Sequence, residues 1–175
     1  SPMSDIIARP PAGTLTVSDG ILELAVTPAL PESCRRGDRL VLPVAWRKSL
    51  DPAAYFEYFG HLRFENENAP KLGPGLSLFY KPLRRIILEP KFGGSLRWRT
   101  VEMPFRGLCA PAEWTAGVWL PDTMEVIVPT RLVAGRYRIL MSIETGTLYP
   151  RLTPADLLSD EDRFSGPIIG SLWIQ

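Results

Sequence analysis

Histidine occurs once in these 175 residues and cysteine twice, and that scarcity removes several chemistries at the outset. A zinc centre draws several ligands from His and Cys, which one histidine and two distant cysteines supply poorly. Nucleophilic catalysis of the Ser–His–Asp or Cys–His kind needs partners converging on the histidine. His61 lies beside Gly60 in an aromatic-rich stretch, where a structural role is expected. No apolar run of about 18 residues occurs, so no segment reads as a transmembrane helix. No G-x-x-x-x-G-K-[ST] loop and no G-x-S-x-G elbow is present. The acidic run "SDED" at 159–162 lacks calcium-loop spacing and reads as a solvated turn. With 19 acidic residues, some carboxylate pair will always suit glycoside hydrolysis, so that signal is empty. No catalytic role, cofactor or metal is expected.

Net charge is also scarce, at +1, so no global field points to nucleic acid or to a membrane. The opening "SPMSDIIARPP" has no basic region followed by an apolar run, and does not read as a signal peptide. Ser1 and Pro2 ahead of Met3 read as a cloning remnant. If Met3 is the native start, the expected location is the cytoplasm. Cys34 and Cys109 are far apart, and their spacing alone neither requires nor excludes a disulfide.

What the chain has in excess is proline, 18 of them, with 14 glycines. That is about twice the usual proline share of about 5%, and each interior proline costs a helix about 3 kcal/mol. Strands and loops are therefore favoured. "ILELAVT" (21–27), "RLVLPVAWR" (39–47), "YFEYFGHLRFE" (55–65), "TMEVIVP" (123–129), "GRYRILMSIE" (135–144) and "PIIGSLWIQ" (167–175) read as strands. Leu40, Leu42, Val44 and Trp46 share one face, as do Tyr137, Ile139, Met141 and Ile143 opposite Arg136, Arg138 and Ser142. "RRIILE" and "SLRWRTV" are shorter strand candidates around the turn "PKFGG", and Gly60 is a candidate bulge. "LTPADLLSDE" (152–161) has the Thr-Pro start of one helical turn.

The reading is an all-β chain: an antiparallel β-sandwich, immunoglobulin-like or jelly roll, of about seven to nine strands. A partly open barrel is the runner-up. Residues 1–20 form an N-terminal arm and 21–175 one domain, with an insertion at about 66–112.

Trp114, Gly117 and Asp122 lead through Val126 and Val128 to Pro129. Leu132, Gly135, Tyr137, Ile139 and Ile143 follow, and "IIGSLWI" closes the chain. Together with "GDRLVLPVAWR" and "YFGHLRFENE", this pattern resembles bacterial cell-envelope β-sandwich modules. These include C-terminal domains that trail membrane glycosyltransferases and the polysaccharide-binding domain of O-antigen ABC transporters. The likeness covers roughly 21–65 and 113–175, and it departs at 66–112. It implies a sandwich that binds polysaccharide, with the histidine structural. The residues alone also make "WTAGVWLPDTMEVIVP" a way into a strand, because Pro121 and Pro129 cannot donate to a ladder.

The departing segment is the chemically distinctive one. Between Lys71 and Arg106, eight basic residues face two acidic ones, a local charge of +6 against −5 for the rest. Phe79, Tyr80, Phe92, Trp98 and Phe105 are interleaved with them. Aromatic faces and guanidinium donors are the components of a glycan site, and single-stranded nucleic acid uses the same two. A plain strand pair with rings inward and arginines outward fits the pattern as well. Trp119, next to a proline and out of period, is expected to be less buried than Trp114. The candidate ligand-binding residues are Trp98 and Trp119 for stacking, with Arg84, Arg85, Arg97 and Arg99 for polar or anionic groups. The expected partner is a polysaccharide or glycan, with nucleic acid not favoured. The alternative is a protein-interaction or assembly subunit, which uses a sheet edge or the basic insertion to dock another chain.

Overall fold

Leu40, Leu42, Val44 and Trp46 are buried while Arg39, Val41 and Pro43 are exposed, and this period of two makes β4 (Arg39–Lys48) a strand with one face in a core. The computed structural model describes residues 10, 13–52, 56–70, 80–147 and 166–175, without the side chains of Phe56, Tyr80, Lys81, Arg85 and 144–147. The other strands are β1 (Leu15–Ser18), β2 (Leu22–Val26), β3 (Ser33–Cys34), β5 (Phe56–Asn66), β6 (Arg97–Glu102), β7 (Trp119–Ile127), β8 (Gly135–Thr147) and β9 (Ile168–Ile174). They form two sheets, ordered β1-β2-β4-β7 and β3-β9-β8-β5-β6.

All neighbours pair antiparallel except β3, which runs parallel to β9. The orders β2-β4-β7 and β9-β8-β5-β6 reproduce the A-B-E and G-F-C-C′ arrangements of an immunoglobulin-type sandwich. Tyr137, at the start of β8, donates its hydroxyl to the Val133 carbonyl at 2.7 Å, the corner expected on the F strand of that fold. The N-terminal arm is not all outside the sheets, since β1 extends the four-stranded layer.

Leu24, Leu42, Trp46, Leu62, Phe64, Tyr137, Ile139, Met141 and Leu172 fill the space between the layers. Full burial of each such side chain stabilises the fold by about 1.5–3 kcal/mol. Trp114 closes one end of this core, its ring 6.4 Å from that of Trp46 and edge-on to Phe105 at 5.6 Å. Gly60 is not a bulge: it pairs in register with Glu102 and Ile143, and the irregularity falls at Ile139/Leu140 instead. Position 60 faces the other sheet closely: a Cβ there would lie 3.0 Å from Met124 Cε and 3.2 Å from Trp46 Cζ2, a tight fit that asks these side chains to give by a few tenths of an ångström.

The insertion is only partly an excursion, since β6 inside it is an edge strand paired with β5. "RRIILE", expected as a strand, is helical. Tyr80–Leu83, Arg84–Leu88 and Glu89–Phe92 run on as one short helix, α1, whose middle turn is wide. Pro90 has no N–H to return to Ile86, and beside it Glu89 N–H bonds i→i−5 to the Arg84 carbonyl, the bond that widens the turn. Gly93, at φ 74°, ends the helix. Ile86, Ile87 and Leu88 are consecutive apolar residues without alternation, which a half-buried strand would require. Cys34 and Cys109 are free thiols. The "LTPADLLSDE" helix and the "SDED" turn lie outside the described residues. No helix among the described residues is long and apolar enough to cross a membrane.

Between β6 and β7, Phe105 (φ 51°) and Arg106 (φ 54°) are left-handed although neither is glycine, a conformation that costs about 1–2 kcal/mol per residue. Asp122 Oδ2 accepts the Phe105 N–H at 2.7 Å, and Arg106 Nη2 lies 2.7 Å from Glu125 Oε1. Burial pushes the nearby Glu102 carboxyl up; Arg106 partly offsets this, while Glu125 and Asp122 add to it.

Two stability measurements follow from this packing. Gly60→Ala presses a methyl group against the Trp46 ring and the end of Met124, and urea unfolding should show a loss of about 1 kcal/mol; an unchanged or raised midpoint would show that the layers accommodate a methyl group there. Glu102 binds its proton more tightly in the folded state than in the unfolded one. Its contribution to stability therefore declines as pH rises from the unfolded carboxylate range through its raised folded value. Glu102→Gln should melt higher than the wild type at neutral pH and at the same temperature in acid, as read by thermal unfolding across pH.

Candidate functional site

The alternation that points Tyr58, Leu62 and Phe64 of β5 inward sends His61, Arg63 and Glu65 to the opposite side. Pairing with β8, β9 and β6 then sorts the outer face of the five-stranded sheet into rows. Ser33, Trp173 and Arg136 stand side by side in one row. The next row is Ser171, Arg138, Glu65 and Arg97. Beyond it lie Ile168, Leu140, Arg63 and Arg99, and then Ser142, His61 and Val101. Adjacent positions in a row are about 5 Å apart and rows about 7 Å, so the Trp173 ring, the arginines and Glu65 lie on one side of the sheet.

Glu65 is the hub of that side. Its carboxylate accepts from Arg138 Nη2 at 2.9 Å and lies 3.3 Å from Arg63 Nη2 and 3.7 Å from Arg97 Nε. Arg97 also donates from Nη2 to the Pro70 carbonyl at 2.9 Å, which ties the end of the β5 loop to β6. Arg136 reaches Glu67 Oε1 through Nε at 3.4 Å and Ser171 Oγ through Nη2 at 3.3 Å. Arg63 and Arg97 are buried, whereas Arg99, Arg136 and Trp173 are exposed, Trp173 by 54%. A flat apolar ring, forked donors and a carboxylate acceptor on one face can hold the C–H face and the hydroxyls of a sugar.

The candidate residues from the sequence do not converge on a single site. Arg97 and Arg99 are on this face. Trp98, between them, points the other way and is half-buried, its ring 5.0 Å from that of Phe64 across the strand pair. Arg84 is on α1, its Nε 3.4 Å from Glu89 Oε1. The Arg85 side chain lies outside the described residues. Trp119 belongs to the other sheet and corrects an expectation, because it is as buried as Trp114, at 2% against 4%. Opposite Arg47 in register, it packs with Ala25 and Ala45, whose small side chains leave room for the ring. The Arg47 guanidinium lies 4.8 Å from the ring centroid and is itself bonded to Glu23, which holds the Glu23 carboxyl below its ordinary range.

Trp173, Arg136, Arg138, Arg63 and Glu65 were not among the sequence candidates. A signal for Trp173 existed, since buried Leu172 and Ile174 on either side put it outward by period two. Compared with protein-family models, curated proteins and solved structures, the chain matches none.

Removing the hub tests how this face is held. Glu65→Gln leaves Arg63 and Arg97 buried beside a neutral side chain, with an expected loss of about 3–5 kcal/mol. Because Arg63 and Arg97 are buried, salt should restore little of that loss. An unchanged midpoint in urea titrations would show that Glu65 does not hold the buried arginines in place.

Proposed function

We propose that this chain is a non-catalytic β-sandwich module that binds a polysaccharide on the outer face of its five-stranded sheet. The observation that carries the reading is Trp173, an exposed indole on a strand whose neighbouring position is Arg136 and whose next row holds Ser171, Arg138, Glu65 and Arg97. Stacking of a sugar on Trp173 would place ring hydroxyls within reach of guanidinium donors and carboxylate acceptors. Arg99, exposed on this face, would take a polar contact role, whereas Arg97 is buried and holds Glu65 and the Pro70 carbonyl. The stacking role moves to Trp173, because Trp98 packs on Phe64 and Trp119 lies under Arg47. The sequence resemblance to cell-envelope sandwich modules, among them the polysaccharide-binding domain of O-antigen ABC transporters, would fit the same reading.

A second reading is favoured by a different surface. Ile86, Ile87 and Leu108, all in the basic insertion, are exposed apolar side chains, and such groups on a surface suit a partner chain. In that case the module is an assembly subunit that docks through the insertion.

Glycan-array screening of the wild type beside Trp173→Ala separates the two. The polysaccharide reading expects binding to at least one glycan, weakened about five- to tenfold in Trp173→Ala, the equivalent of about 1–1.4 kcal/mol, with an indole fluorescence change on binding. Trp98→Ala should instead lower thermal stability. Binding to no glycan, together with concentration-dependent association abolished by Ile86→Ser, would transfer the assignment to assembly.

A further inference from the structure

We infer that the polysaccharide taken by this face is an acidic one, its carboxylate or phosphate group received by Arg136 and Arg138 while the adjoining sugar ring lies on Trp173; this rests on the polysaccharide reading above.

Arg136 and Arg138 are two residues apart on β8 and outside the core, so their side chains leave the sheet in the same direction about 7 Å apart. Each is steadied from one side by its own neighbour, Arg136 by Glu67 and Ser171 and Arg138 by Glu65. Their side chains remain 52% and 36% exposed. A guanidinium has five donor hydrogens in a fixed fork, so the two contacts of Arg136 and the one from Arg138 to Glu65 orient these groups without using all their donors. Glu65 is shared, because Arg63 lies 3.3 Å from the same carboxylate, so its single negative charge does not neutralise Arg138. Arg63, Arg136 and Arg138 against Glu65 and Glu67 leave the face positive. A neutral sugar calls for one such fork at most; two aimed forks beside a ring match a saccharide with a planar or tetrahedral oxyanion.

Single-stranded nucleic acid would also use rings and arginines. The carboxylates argue against it here. Glu65 and Glu67 accept bonds from sugar hydroxyls but repel a backbone charged at every residue, and a net charge of +1 provides little long-range attraction for such a polyanion.

Titration calorimetry on the full chain tests this with four probes: an oligogalacturonate, its methyl ester, a glycerol-phosphate polymer and an oligothymidylate. The wild type should bind the free acid or the phosphate polymer about tenfold or more tightly than the uncharged ester, and the stronger of the two identifies the anion. Arg138→Gln should bring acid and ester to equal affinity, while Trp173→Ala weakens both alike. Arg136→Gln, which leaves Glu65 and its three arginines untouched, repeats the test should Arg138→Gln fail to fold. Equal wild-type affinity for acid and ester would overturn the acidic preference and leave the polysaccharide reading standing. Binding to none of the glycan probes or to any array glycan would overturn both, and an oligothymidylate that outcompetes every glycan would reassign the face to nucleic acid.

Discussion

The ladder between β5 and β8, from Phe56 opposite Thr147 to Asn66 opposite Tyr137, is the constraint on which both the core and the candidate site depend. Along β5 every other side chain is core and every other one belongs to the site. A slip of one residue would send Leu62 and Phe64 to the surface and drive Arg63 and Glu65 between the sheets. The penalty is large, because burying an unpaired charge costs several kcal/mol while each exposed Leu or Phe gives up about 1.5–3 kcal/mol of burial. The same apolar side chains that hold the sandwich together thus hold Trp173, Arg136, Arg138 and Glu65 in one plane.

The two layers come close at Gly60, where Trp46 and Met124 from the other sheet leave only a tight fit for a Cβ. Tyr137 fastens the end of the ladder through its hydroxyl to Val133, and the neighbouring 131–133 segment bonds to Ser95 at the head of β6. The basic segment is therefore attached at its β6 end to the strand that carries the arginines. The part of it that departs from strand geometry is α1, where Pro90 and the unalternated Ile86–Ile87–Leu88 run exclude a ladder. Charge on this face is organised around one acid. Glu65 draws in the buried Arg63 and Arg97 and the partly exposed Arg138, and this keeps the Arg138 side chain ordered at the surface.

The all-β class, the inward faces of β4 and β8, and the burial of Trp114 are legible in the order of residues, because alternation and proline content are local properties. The outward direction of Arg136 and Arg138 is legible for the same reason, and Trp173 could have been read that way between Leu172 and Ile174. Gly60 is legible as unusual but not for the right reason, since the atoms that crowd it come from β4 and β7. Trp119 was misjudged because its cover, Ala25, Ala45 and Arg47, lies at least 72 positions away in the chain.

By itself the sequence determined that strands would form, which side of each would be apolar, and that the middle of the chain would be basic. These follow from side-chain period and composition, which each segment carries within itself. Only the tertiary structure decided which arginines became neighbours, that Glu65 rather than a residue of the basic segment would gather them, and that the exposed indole beside them would be Trp173. Strand order and register are set by the joint packing of two whole sheets, and no single segment contains that information.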